Sequence, residues 1–215
     1  MTSISRGRRL QIIALCGAVA PIVYTVGALA AGAGFPGYSH MKQFVSELGA
    51  TGAPTAFLMN AAFLLFGVLM AAFALGLHRS IQAGPGDWLG IALIIGYGLS
   101  YVALAFSPCD PGCRGTPGSF HHRAHFLLSD AILFLAVAGP LVLYSRLKRD
   151  SRWTDVAWLV VCAALAAWGL FTIPVPGLAG ALKQRLWLLL IFVCIETLAL
   201  RLLRLSKGDA SQSVA

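Results

Sequence analysis

Three histidines crowd one short segment of the chain: His121, His122 and His125. On a helix, His121 and His125 lie about 40° apart around the axis, Ser129 falls about 40° further on, and His122 sits about 100° from His121. The i, i+4 spacing of His121 and His125 lets two imidazoles grip one ion, as in helical zinc sites. Asp110 is the first further ligand that another loop would bring, with Glu47 and His40 behind it. The plainer reading seats the same imidazoles in the wet headgroup zone of a membrane, capping a helix or bonding lipid.

Four other groupings have chemistry in reach. Cys109 and Cys113 bracket Asp110-Pro111-Gly112; on an oxidising face such a pair forms a small disulfide, and its rival is a Cys₂His₂ zinc site with His121 and His125. Asp130 and Glu196 are acids inside otherwise apolar runs, where a carboxylate is costly unless paired or protonated. Asp130 is placed to orient a ligand histidine or relay a proton, although a neutral acid in a helix contact explains either one equally. Ser46, with His40 as base, makes a nucleophile pair on paper, but no strand–elbow–helix pattern surrounds it and a loop serine more often caps or turns. Lys183 and Arg185 suit a lipid phosphate or an acid partner, Arg185 offering the better fork.

The elements that must position these residues are legible from where charge is missing. Of 215 residues 58% are apolar and 11% charged, against roughly 25% charged in a soluble domain. Residues 10–39, 48–77, 88–109 and 156–182 contain no Asp, Glu, Lys or Arg, and about 20 apolar residues cross a bilayer as a helix. Two more apolar segments, His125–Tyr144 and Leu186–Leu200, complete a set of six helices at about 10–32, 56–77, 88–107, 124–145, 156–173 and 183–205. The fold class is all-α, an integral membrane bundle. Continuous Ala/Leu-rich runs exclude a barrel, whose strands alternate. The first run is too long for a signal peptide's apolar core. Short connections predict one domain over 1–207, and the small polar residues 208–215 predict a disordered tail.

Orientation follows from the basic residues. With the N-terminus inside, one side collects 11 (Arg6, Arg8, Arg9, Arg79, Arg146, Lys148, Arg149, Arg152, Arg201, Arg204, Lys207) and the other 5 (Lys42, Arg114, Arg123, Lys183, Arg185). Basic loops stay cytoplasmic, so both termini are expected there. The net charge of +8 is then topology signal and attraction to anionic lipid, and it requires no nucleic acid. The opposite, exoplasmic face collects Glu47, Asp110, four of the five histidines, Lys183 and Arg185, with Asp130 a turn or two deeper.

Those residues also carry a resemblance. Tyr38-Ser39-His40, Val45-Ser46-Glu47-Leu48-Gly49-Ala50, Gly52-Ala53-Pro54 and Asn60, then Ser107-Pro108-Cys109-Asp110, the histidines opening helix 4, and Gln184-Arg185 resemble the family called domain of unknown function 998. The resemblance spans nearly the whole chain and is most distinctive at Ser46-Glu47-Leu48-Gly49. It implies a prokaryotic multi-pass protein of the plasma membrane and implies no reaction.

Three functions fit. First is an exoplasmic pocket of Glu47, Asp110, His121, His125, Asp130 and Arg185 that binds a lipid headgroup or small amphiphile, with membrane lipids as partners. Second is a metal-dependent hydrolase acting on a lipid, zinc being held by His121, His125 and Asp110; the loose resemblance here is to alkaline ceramidases, which differ in having seven helices. Third is a proton-coupled transporter using Asp130 and Glu196. The pocket is expected between helices 2, 3, 4 and 6.

Overall fold

A computed structural model describes residues 3–81, 88–113 and 118–212. Its helices are α1 (Ser3–Gly34), α2 (Ala56–Ser80), α3 (Trp88–Ala105), α4 (Phe120–Leu147), α5 (Thr154–Thr172) and α6 (Gly180–Gln212), with short 3₁₀ turns at Val45–Gly49 and Pro111–Cys113. All six are long and apolar enough to span a membrane, and the described residues form no strand. The protein is a multi-pass helical membrane protein. The helices start or stop up to seven residues from the expected positions. α1 begins within the basic N-terminal stretch. α6 continues to Gln212, past the expected end of the domain at 207.

Each helix packs against the next in the chain, and α6 returns to α1, so the six form a closed ring in sequence order. Short loops make consecutive spans antiparallel neighbours. An even number of spans brings the chain back to the side it started from; the end carrying the 34–56, 105–120 and 172–180 connections is called the distal end below. Apolar side chains of α1, α2, α3 and α6 meet inside the ring. Tyr24 stacks edge-on to Phe66, Tyr101 and Phe192 at centroid distances of 5.4, 5.8 and 5.4 Å, geometries that aromatic quadrupoles favour. Between α2 and α3 the backbones nearly touch. A Cβ on Gly98 would lie 2.7 Å from the Gly67 carbonyl oxygen, and one on Gly67 would lie 2.8 Å from the Val102 nitrogen. Small residues permit this approach where lipid gives helices no hydrophobic reason to associate.

The end bearing the termini is more than a scatter of basic residues. Arg146, 4% exposed, donates to the carbonyl oxygens of His78 (3.1 Å) and Ile81 (2.7 Å), satisfying carbonyls that α2 leaves open at its C-terminus. Asp150 is buried and pairs with Arg152 at 2.7 Å. Arg152 in turn donates to Ser80 O at 2.8 Å, and its own carbonyl accepts from Arg201 of α6 at 2.6 Å. This network ties α2, α4, α6 and the 147–154 turn together.

Candidate functional site

The distal polar residues divide into two structural latches and one cavity. The first latch belongs to the 34–56 connection. Glu47, 6% exposed, accepts the Phe44 N–H at 2.9 Å and the Gln43 side-chain amide at 3.0 Å. This is the reach-back half of a capping box, a side chain three residues into a helical turn satisfying the donor at its start. Arg185 then holds the loop from α6. Its guanidinium donates to Tyr38 Oη at 2.7 Å and to the carbonyls of Gln43 (2.9 Å) and Ala181 (3.0 Å). The Tyr38 hydroxyl donates a hydrogen bond to Phe44 O at 3.0 Å, and Gln184 accepts the Val45 N–H at 2.9 Å. Burial, and then the charge of Arg185, lower the pKa of His40, whose Nδ1 lies 3.4 Å from the guanidinium. Burial raises that of Tyr38 against the opposing pull of Arg185. Further along, Asn60 donates to Gly49 O at 3.0 Å and Thr55 to Leu48 O at 3.0 Å, which fastens the turn to the start of α2.

The second latch joins the 105–120 connection to α4. Ser119 caps the helix by accepting the His122 N–H at 3.0 Å, as Ser does at this position. Asp110 accepts the Ser119 N–H at 3.1 Å, and the Ser119 hydrogen bonds hold its carboxyl below the usual carboxylate range. The Asp110 N–H donates back to His122 Nδ1 at 2.9 Å. Accepting there leaves the ring proton on Nε2, which is buried without a partner among the described residues. The expected disulfide is present: Cys109 and Cys113 are bonded, Cα atoms 5.3 Å apart, around Gly112 at φ 79°, a left-handed turn that glycine adopts freely. The Cys109 carbonyl accepts from Thr51 N at 2.8 Å, joining the two distal loops.

Inside these latches lies a cavity of about 340 Å³. Its walls carry Ser46, His125, Ser129, Asp130, Lys183 and Gln184, and its apolar lining includes Tyr24, Phe63, Tyr101, Ile132, Trp187 and Leu188. His125, 4% exposed, shares a hydrogen bond between Nδ1 and Ser107 O at 2.9 Å. A carbonyl only accepts, so Nδ1 carries the proton and Nε2 is left as an acceptor in the neutral ring. Ser129 donates to His125 O at 2.8 Å. Lys183 donates to the carbonyls of Phe171 in α5 (2.8 Å) and of Ile173 just past its end (3.4 Å), a favourable place for a cation at a helix C-terminus. Asp130 makes no hydrogen bond or ion pair among the described residues.

Of the six residues expected to share a pocket, His125 and Asp130 line the cavity. Glu47 and Arg185 brace its roof from the first latch, Asp110 is fixed in the second, and His121 is exposed with its ring against Phe120. His121, His125 and Asp110 therefore do not form one ligand set. Among the described residues the groups close enough to share an ion are Cys109, Cys113 and His125, with ligand atoms within 4.8 Å of one another, and the two sulfurs are spent on each other in the disulfide. Ser46 lines the cavity while His40 sits against Tyr38 and Arg185, so the two form no nucleophile–base pair. Glu196 does not line the cavity. Sequence reasoning passed over Ser119 and Gln43; for Ser119 the signal was its place just before the apolar run of α4.

A family model described as protein of unknown function (DUF998) matches residues 18–201. No curated protein and no solved structure matches this chain.

Proposed function

This chain belongs to the DUF998 family, a family without an assigned reaction, and from that premise we propose that it binds the head of a lipid or small amphiphile in its distal cavity. The observation that supports this is the lining: polar groups of the 34–56 loop, α4 and α6 share a roughly 340 Å³ space with buried Tyr24, Phe63, Tyr101 and Leu188. Ligand sites of about 300–1,000 Å³ combine apolar walls with a few placed polar groups in this way. The basic asymmetry of the sequence puts the distal end on the exoplasmic side in this proposal, so the ligand would come from the outer leaflet or from outside.

Native mass spectrometry of gently extracted protein tests the proposal. The expected result is a bound amphiphile that Leu133→Trp, which fills the cavity, removes. Equal retention by wild type and a folded Leu133→Trp variant would place the amphiphile on the outer surface and end this reading. The hydrolase reading would need an ion held by groups other than the expected His121, His125 and Asp110 set. The transport reading would rest on Asp130 alone of its two acids within the cavity.

A further inference from the structure

We infer that the head of the ligand carries an ammonium group, an inference that rests on the cavity being the binding site. Among the described residues two formal charges face the cavity, and they differ in how they are satisfied. Lys183 is held by two carbonyls at the C-terminus of α5, where the helix dipole is complementary to it. Asp130 is ten residues into α4, about 15 Å along the axis from Phe120; it lines the cavity from its exposed side and has neither hydrogen bond nor ion pair among the described residues. A carboxylate within a span is costly until a partner arrives. A cation supplies that partner; a phosphate or carboxylate head would add a second anion to an unsatisfied first.

The surrounding side chains favour the same sign. Phe126 lies one helical turn from Asp130 on the same face of α4, and Tyr24, Phe63, Tyr101 and Trp187 line the same space, the Phe171 ring being already taken by Lys183. Aromatic faces attract ammonium ions through their quadrupoles, most strongly where water is excluded. His125, with Nδ1 committed to Ser107 O, adds an acceptor for an ammonium N–H. Arg185, the residue that would have argued for a phosphate, donates to the loop instead. An amine-bearing lipid headgroup and a free single-chain amine share this chemistry.

The test uses full-length protein in a nonionic detergent and measures equilibrium binding of octylamine, octyltrimethylammonium, octyl phosphate and neutral octanediol. Free ethanolamine and a short-chain phosphatidylethanolamine separate a soluble amine from a lipid source. The cationic probes are expected to bind at least tenfold more tightly than octyl phosphate. Asp130→Asn should bring them to within about threefold of octanediol without abolishing octanediol binding, and Asp130→Glu should restore the preference. Octyl phosphate binding as tightly as octylamine, or an unchanged preference in folded Asp130→Asn, would overturn the ammonium assignment while leaving the cavity reading in place. Absence of saturable binding by every probe would end both.

Discussion

Arg185 and Tyr38 are 147 residues apart in the chain and 2.7 Å apart in space, guanidinium to phenol. The contact makes α6 the anchor of a loop that follows α1, and the same guanidinium also bonds the Gln43 carbonyl. Arg185→Ala should release residues 38–47 and destabilise the protein by about 2–3 kcal/mol, the scale of lost hydrogen bonds to a charged group. Hydrogen exchange should rise there and not at α3. Uniform protection across the chain in the variant would contradict the anchoring role.

The loop should also respond to pH through His40. Burial and Arg185 lower its pKa, so the folded chain keeps the ring neutral where the unfolded chain, titrating at about 6.5, takes up a proton. The stabilisation from this difference is fully present above that value and is lost as pH falls below it. The protection factors of the Lys42, Gln43 and Glu47 amides, taken relative to intrinsic exchange at each pH, should fall from about pH 6.5 downward, and His40→Gln should flatten the dependence. Arg185, Tyr38 and Glu47 are the ionisable neighbours in that latch.

Mass spectrometry of non-reduced protein should recover Cys109 linked to Cys113. Cys109→Ser with Cys113→Ser should cost about 2 kcal/mol by the chain-entropy estimate for so short a loop and loosen Thr51, whose amide bonds Cys109 O. Two free thiols in wild-type protein would refute the bridge.

At the other end, Arg146→Ala should be among the most damaging substitutions, costing about 2–3 kcal/mol because the His78 and Ile81 carbonyls lose their donor. Thermal unfolding in detergent measures it. A loss below about 1 kcal/mol would show that the His78 and Ile81 carbonyls find other donors.

Topology is open to direct labelling. A membrane-impermeant thiol reagent applied to intact cells should reach Thr51→Cys and miss Ser151→Cys, both of which are exposed in the structure. The reverse pattern would turn the cavity toward the cytoplasm.

How much of this was written in the sequence depends on the scale of the interaction. Four of the six spans were legible because charge-free runs of 22 to 30 residues admit few other readings, and the other two because a single acid, Asp130 or Glu196, is all the charge that interrupts an apolar segment. The Cys109–Cys113 bridge was legible because four residues around a Pro-Gly turn leave the sulfurs little room to part. The division between Glu47 and His125 was not, since both are polar residues near a helix end. What separates them is that Glu47 reaches a backbone amide three residues back, whereas His125 turns inward and His121 outward. α4 is apolar on every side, so spacing on a helical wheel could not say which histidine faces the ring. Asp150 carried no signal in the sequence because its partners, Arg152 nearby and the α2 terminus beyond, are assembled only by the fold.

The closed ring in sequence order also sets a schedule for biogenesis. As the ribosome delivers spans one at a time, each of α2 to α5 meets its neighbour already in the bilayer. α1, by contrast, waits with one flank open until α6 arrives. Arg185 and Gln184 ride on that last span, so the loop over the cavity stays unfastened until synthesis is nearly finished. A chain cut short after α5 would have five spans in the membrane and no roof, and its unsealed flank is the surface that membrane quality control would meet first.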